Sequence, residues 1–450
     1  MAFRDEKILV FDGACGTNLQ RMAIPPSAWE GRDGCNEFLN LSAPGVIREW
    51  HASFLSAGAT VLETNTFGAN RIVLAEYGLA DRVGEINAAA VENAREAIRR
   101  RSGPAFVAGS IGPTTKLPSL GHIGFEPMAA AFSEQARALV DAGADLLIIE
   151  TCQDLLQIKI ALVSCFGTLE RMKRDVPVMV SVTIESAGTM LVGTDVAAAL
   201  AAIEPFPVFS IGLNCATGPE GMTSHIRYLC RHYRGRVSCI PNAGIPQVVD
   251  GKTRYPLSPE AFAAQLSAFV RDEGVSIVGG CCGTTPEHIR KLREALEGVS
   301  PAPRNVTEKP SLSSLYQAAE IRQEIPPFLI GERCNANGSR RFRDLLLADD
   351  YPGALRVALE QQENGANAVD LCTAYAGRDE KADLEALARL FAQSVRIPMV
   401  IDSTTPGCIE AALKIHPGRC LVNSVNLEDG GKNLERVCRL AKTYGAAVIA

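Results

Sequence analysis

At 450 residues, with 47% hydrophobic and 21% charged side chains, the chain suits two domains that each bury a sizeable core, and its composition excludes long disorder or a collagen-like repeat. The formal net charge of −6 is spread with both signs mixed, which excludes the basic stripe that neutralising nucleic-acid phosphates requires. No apolar run reaches the roughly 18 residues of a membrane span, and Met1–Lys7 has no signal-like apolar core, so a cytoplasmic protein with neither nucleic acid nor membrane as partner is expected.

Short β-branched runs recur along the chain, each followed by a longer stretch with helical spacing, which is the alternation of parallel βα units. The runs are Ile8–Phe11, Thr60–Thr64, Phe106–Gly109, Leu146–Glu150, Val178–Val182, Phe209–Leu213, Val237–Ile240 and Val275–Val278, with helices predicted over stretches such as Asp81–Arg101 and Pro127–Ala142. Eight strands within residues 1–298 predict a (β/α)8 TIM barrel, with a doubly wound open sheet as the second choice. Residues 299–327, rich in Pro, Ser and charge, read as a linker with one short helical piece around Ser314–Glu324.

The alternation then restarts over 328–450, with strands predicted at Phe328–Gly331, Ala368–Leu371, Met399–Ile401, Leu421–Val422 and Ala446–Ile449. A parallel sheet that stops on its fifth strand leaves apolar surface and backbone groups unmatched. The second domain is therefore expected to be an incomplete barrel, or the chain a piece of a longer protein.

Of the fourteen cysteines, Cys165, Cys230, Cys408, Cys420 and Cys438 sit in ordinary core patterns, and Cys15, Cys35 and Cys152 are read as non-ligands. Cys215 ends the sixth strand (Gly212-Leu-Asn-Cys), and Cys281 and Cys282 end the eighth (Gly279-Gly-Cys-Cys-Gly), so all three are expected at the barrel mouth where such folds place their chemistry. A Cys-Cys pair beside glycines is also compatible with core filling or a strained disulfide. Three thiolates at matching strand ends suit Zn2+ with its fourth position open, where a substrate thiol loses its proton near neutral pH and becomes a nucleophile. Strand 7 ends at Pro241-Asn-Ala-Gly, which places Asn242 beside the metal as a weak fourth ligand, or a water in its stead, until substrate displaces it.

These residues, with Asp12-Gly-Ala-Cys-Gly-Thr17, Glu63-Thr-Asn-Thr-Phe67, Gly109–Pro113 and Glu150-Thr151, resemble the homocysteine S-methyltransferase family over nearly the whole first domain. The resemblance implies homocysteine as the acceptor, its amino-acid end held by Asp12, Gly13 and the turn after strand 1, with Glu150 on the ammonium group. That agrees with the chemistry, since carboxylates pair with ammonium groups and N–H groups of a glycine turn suit a carboxylate.

In the second domain, Gly331–Gly338, Asn364–Asp370, Ile401–Thr404 and Val422–Ser424 resemble the pterin-binding barrel of methyltetrahydrofolate:corrinoid methyltransferases and cobalamin-dependent methionine synthases. The resemblance implies pterin contacts from Asp370, Asp402 and Asn423, with Glu332 and Asn335 beside them; Cys372 stands where the family has an amide. A homocysteine barrel followed by a pterin barrel is the order at the front of that synthase family. It implies methyltetrahydrofolate as methyl donor and methylcobalamin as relay, held on another module or protein because no Asp-x-His-x-x-Gly signature occurs in these residues. Two other readings are a cobalamin-independent methyltransferase with a sulfonium or betaine donor, and a non-catalytic scaffold whose zinc is fully ligated by protein.

Overall fold

The computed structural model describes residues 3–101, 103–249, 251–427 and 430–450. Its first seven strands are β1 (Leu9–Val10), β2 (Val61–Glu63), β3 (Phe106–Ile111), β4 (Leu146–Cys152), β5 (Val178–Val182), β6 (Ser210–Asn214) and β7 (Arg236–Ile240). An exposed antiparallel hairpin of β8 (Gln247–Val249) and β9 (Lys252–Arg254) follows, and β10 (Ile277–Val278) is the eighth strand of the parallel sheet. The spatial order is β1-β10-β7-β6-β5-β4-β3-β2, and a parallel bridge from Phe11 to Val61 joins the two ends into a barrel. The open-sheet alternative is thereby set aside. All eight runs read from the sequence fall on these strands, because parallel strands are covered on both faces and so are apolar throughout; β5, Val-Met-Val-Ser-Val, is buried at every position.

Helices cover the outside of the barrel. Val83–Arg99 and Phe125–Asp141 occupy the two stretches predicted as helical. The helix Leu155–Met172 begins at Asp154, whose carboxylate accepts the Leu156 N–H at 2.8 Å and also binds the Ser119 hydroxyl at 2.6 Å.

The segment after the barrel differs from the expected one. Instead of a short helix, β11 (Ser311–Ser313) and β12 (Ala318–Glu320) form an antiparallel hairpin. The Ser314 hydroxyl accepts the N–H groups of Tyr316 and Gln317, which turns the chain back on itself where a helix would have continued. Leu312 and Leu315 are buried, so the segment is packed rather than a loose spacer.

A second parallel sheet follows in the order β13 (Ile330–Asn335), β14 (Ala368–Cys372), β15 (Met399–Asp402), β16 (Leu421–Asn423) and β17 (Ala447–Val448). These match the five predicted runs, with a core of its own around Phe342, Leu387, Phe391, Ile401 and Ile409. Among the described residues no helix is long and apolar enough to cross a membrane.

The two sheets are joined through a buried cation. Lys159, on the barrel helix Leu155–Met172, donates to the carbonyls of His416 (2.8 Å), Gly418 (3.0 Å) and Leu413 (3.4 Å) at the end of the helix Pro406–Ile415. No carboxylate pairs with it in these contacts; it satisfies carbonyls that a helix end leaves free. Burial lowers its pKa to about 8. Lys159→Met keeps the bulk but strands three buried carbonyls, and is expected to cost about 1–3 kcal/mol of stability. It should also accelerate amide hydrogen exchange around 413–418 more than in β3 to β6; wild-type exchange and denaturation midpoint would show that the cation is dispensable.

Candidate metal and thiol-binding site

The barrel mouth is shaped by backbone before any side chain acts. β6 ends at Asn214, and Cys215 and Ala216 then both adopt left-handed backbone (φ 61° and 51°). That conformation is costly for residues with a Cβ, and here it is held by Thr217 N–H to Cys215 O (2.6 Å) and Cys215 N–H to Ile240 O (3.2 Å). After β10 the chain runs so close to β1 that a Cβ on Gly279 would lie 2.6 Å from Cβ of Phe11. Gly283 turns the chain away at φ 80°, against the ring of Tyr255, which arrives from the β8–β9 hairpin.

These turns aim three sulfurs at one point. The Sγ atoms of Cys215, Cys281 and Cys282 all lie within 4.8 Å of one another, with Cys215 and Cys282 at 3.9 Å, and none is in a disulfide. Hydrogen bonds from the Cys215 and Cys281 thiols, with the Tyr255 hydroxyl adding to them, hold Cys282 well below the usual thiol range, while Cys281 is pushed up by the same sharing. Three soft, half-buried donors of this kind fit a zinc ion, and no fourth His, Cys, Asp or Glu joins them among the described residues.

The scaffold behind the sulfurs is tied to β1. Thr284 Oγ1 donates to Cys281 O (2.6 Å) and accepts the Ala14 N–H (3.2 Å), while Cys281 N–H reaches Pro241 O (2.8 Å). The thiols thus share a floor with the Gly13–Gly16 turn, and both line a cavity of about 300 Å³.

Across that cavity stands Glu150. Its carboxylate accepts the hydroxyl of Ser110 (2.5 Å) and, on its other oxygen, Asn214 Nδ2 (3.2 Å) and the Thr151 hydroxyl (3.3 Å); burial raises its pKa. Asp12 lies deeper, 1% exposed, with one oxygen accepting the Glu63 N–H at 3.1 Å and the other without a partner; burial pushes it well above the usual carboxylate range. Asn242 is buried at the end of β7, its N–H on Thr217 O (3.0 Å) and its Oδ1 without a partner, and its side chain is not among the cavity walls. Glu63 and Tyr255, which the sequence reading left without a role, prove to be part of this site.

In the second sheet, strand ends gather Asn335, Asp370 and Asp402. Asn335 Nδ2 donates to Asp402 Oδ2 (2.9 Å) and Asp370 Oδ2 (3.5 Å). Burial, with the charge of Asp402 beside it, raises Asp370 to about 7, and Asn423 hydrogen-bonds to it. Cys372 is buried beside Asp402, and Glu332 is exposed at the rim.

Comparison with known proteins agrees with this division. Residues 331–450 match the pterin binding enzyme family. Over 99% of its length the chain is 43% identical to a methionine synthase of Mycobacterium tuberculosis and 42% identical to one of Mycobacterium leprae, and it spans 38% of the length of each. Among solved structures, the Escherichia coli homocysteine methyltransferase MmuM in its metallated form is similar at 25% identity and a TM-score of 0.51, over 64% of this chain and 96% of that one. Residues 9–296, the whole barrel with its three converging thiols, match the homocysteine S-methyltransferase family, and the chain belongs to that family.

Proposed function

We propose that the first barrel activates homocysteine as a methyl acceptor, through a zinc ion held by Cys215, Cys281 and Cys282, and that the second unit binds the methyltetrahydrofolate that supplies the methyl group. The observation that carries this reading is the three-thiol cluster, with no fourth strong protein ligand among the described residues, opening onto a cavity of about 300 Å³ that has room for a small amino acid. A closed structural zinc site would have four protein ligands, which speaks against the scaffold reading. When bound, zinc supplies Lewis acidity that keeps a substrate thiol ionised near neutral pH.

The chain's own residues do the rest. The cysteines fix where the substrate sulfur sits, and Glu150 and Asp12 favour the ammonium end of an amino acid on the opposite wall. The Gly13–Gly16 turn suits its carboxylate, as backbone N–H groups do. For Asn242, the proposed weak fourth ligand that a thiol displaces, the support is its unmatched buried Oδ1 at the end of β7, although its side chain does not line the cavity. Ser110, Asn214 and Thr151 lock Glu150 in one orientation, so the substrate meets a preset geometry.

For the second unit, Asp370, Asp402, Asn335, Asn423 and Glu332 offer the alternating donors and acceptors that a pterin edge requires. Methylcobalamin on another module or protein would relay the methyl group between the two mouths, as the likeness to mycobacterial methionine synthases suggests. A sulfonium or betaine donor would leave this polar cluster without a use.

Zinc content and zinc X-ray absorption test the acceptor site: one zinc with three sulfur neighbours should gain a fourth on adding homocysteine. Cys215→Ser or Cys281→Ser should reduce zinc at least about tenfold while circular dichroism stays that of the folded barrel; full zinc in both variants would refute the ligand assignment.

The raised Asp370 gives a second test. Its folded pKa of about 7 lies above the unfolded value of about 3.9, so its cost to stability is absent below about pH 4, grows as pH rises to about 7 and persists above. Asp370→Asn is therefore expected to raise the denaturation midpoint at pH 8 and leave it unchanged at pH 4, while weakening methyltetrahydrofolate binding. A variant that is no more stable at pH 8 would contradict the burial argument.

A further inference from the structure

The cavity beneath the mouth is lined by three carboxylates, Glu37, Glu63 and Glu150, and by no Lys, Arg or His. Two of the three are matched by the protein. Glu37 accepts the Gly68 N–H at 2.7 Å, and Glu150 has the three donors described above. Glu63 differs. At the end of β2 its main-chain N–H goes to Asp12, but no hydrogen-bond donor or cation meets its carboxylate among the described residues. Burial and the charges of Glu150 and Asp12 all oppose its ionisation, and no group among the described residues offsets them.

A carboxylate placed in a cavity beside two others, with no protein cation in reach, is costly unless the ligand brings the positive charge. Asp12 is shut behind the wall, so Glu63 and Glu150 are the two carboxylates of this group that a ligand can touch. We infer that Glu63 is a substrate-positioning residue that, together with Glu150, takes the α-ammonium of the acceptor amino acid and thereby selects against thiols that lack one.

The same charges orient the substrate. With the ammonium taken by Glu63 and Glu150, the α-carboxylate is left to the N–H groups of the glycine turn, and the side-chain thiol to the three cysteines. Asp12 contributes through its field and by holding the Glu63 backbone, without contact of its own.

This inference rests on the proposed reading of the barrel as a homocysteine site. Its test compares zinc-loaded wild type, Glu63→Gln and Glu63→Asp by calorimetry with homocysteine and with 4-mercaptobutanoate, the same thiol without the amino group. Glu63→Gln should weaken homocysteine by about ten- to a hundredfold, the size of a lost charge-assisted hydrogen bond, and leave 4-mercaptobutanoate within about twofold of wild type. Glu63→Asp, which keeps the charge, should recover part of the loss. The thermal midpoint of ligand-free Glu63→Gln should equal or exceed that of wild type, because a repulsive charge is gone; a purely structural role predicts a fall. Homocysteine affinity equal to wild type in Glu63→Gln, or equal losses for both thiols, would overturn the inference while leaving the barrel's function intact. Failure of wild type itself to bind homocysteine would overturn both.

Discussion

Two neighbouring cysteines can present both sulfurs to one point only where the chain bends sharply and other strands come very near. Here that nearness is extreme: a Cβ at Gly280 would lie 2.4 Å from Thr284 Oγ1, and one at Gly212 would lie 2.0 Å from Ser238 Oγ. Close contact of β6, β7, β10 and β1 at their C-terminal ends sets the backbone hydrogen bonds that fix Cys215 and Cys281. It also brings Thr284 against the turn that follows β1. The three-thiol geometry and the Gly13–Gly16 turn are therefore two outcomes of one steric requirement.

Charge divides the cavity into two ends with different demands. At one end three sulfurs within 4.8 Å of one another offer the soft donors that a divalent ion such as zinc would use. At the other end, among the described residues, Glu63 has neither a hydrogen-bond donor nor a cation, while Glu37 and Glu150 are held by protein donors. Such a cavity is poorly matched to an empty state, and it gains most from a ligand that is cationic at one end and able to bind a metal at the other. Part of the stability a better-paired cavity would have is given up so that the ligand completes the electrostatics.

Much of this was legible in the sequence, and the reasons are local. β5 and its neighbours announce themselves because parallel strands covered on both faces read as near-continuous apolar runs. The cysteines were legible because strand ends are fixed by the barrel and glycines flank them. Other features lack such a signature. The β8–β9 hairpin is exposed on both faces, so no alternation marks it, and Tyr255 reaches Cys282 only because that hairpin folds back. The turn at Ser314 and β12, within the stretch read as helical around Ser314–Glu324, escaped notice because the turn depends on one serine hydroxyl. Glu63 looks like an ordinary strand-end residue, since only the fold reveals that no cation stands opposite it. Asp12 is legible as a strand-end carboxylate, but its burial and its hydrogen bond to the Glu63 N–H are not.

The Lys159 contact has a consequence for how such chains are assembled. Its ammonium group fits carbonyls of the following unit, and Phe125 and Val163 of the barrel pack against that unit's core. Cut apart, the barrel would expose an apolar face around an unmatched cation, and the second unit would expose a helix end made to receive it. The two halves are thus poor candidates for shuffling as independent parts.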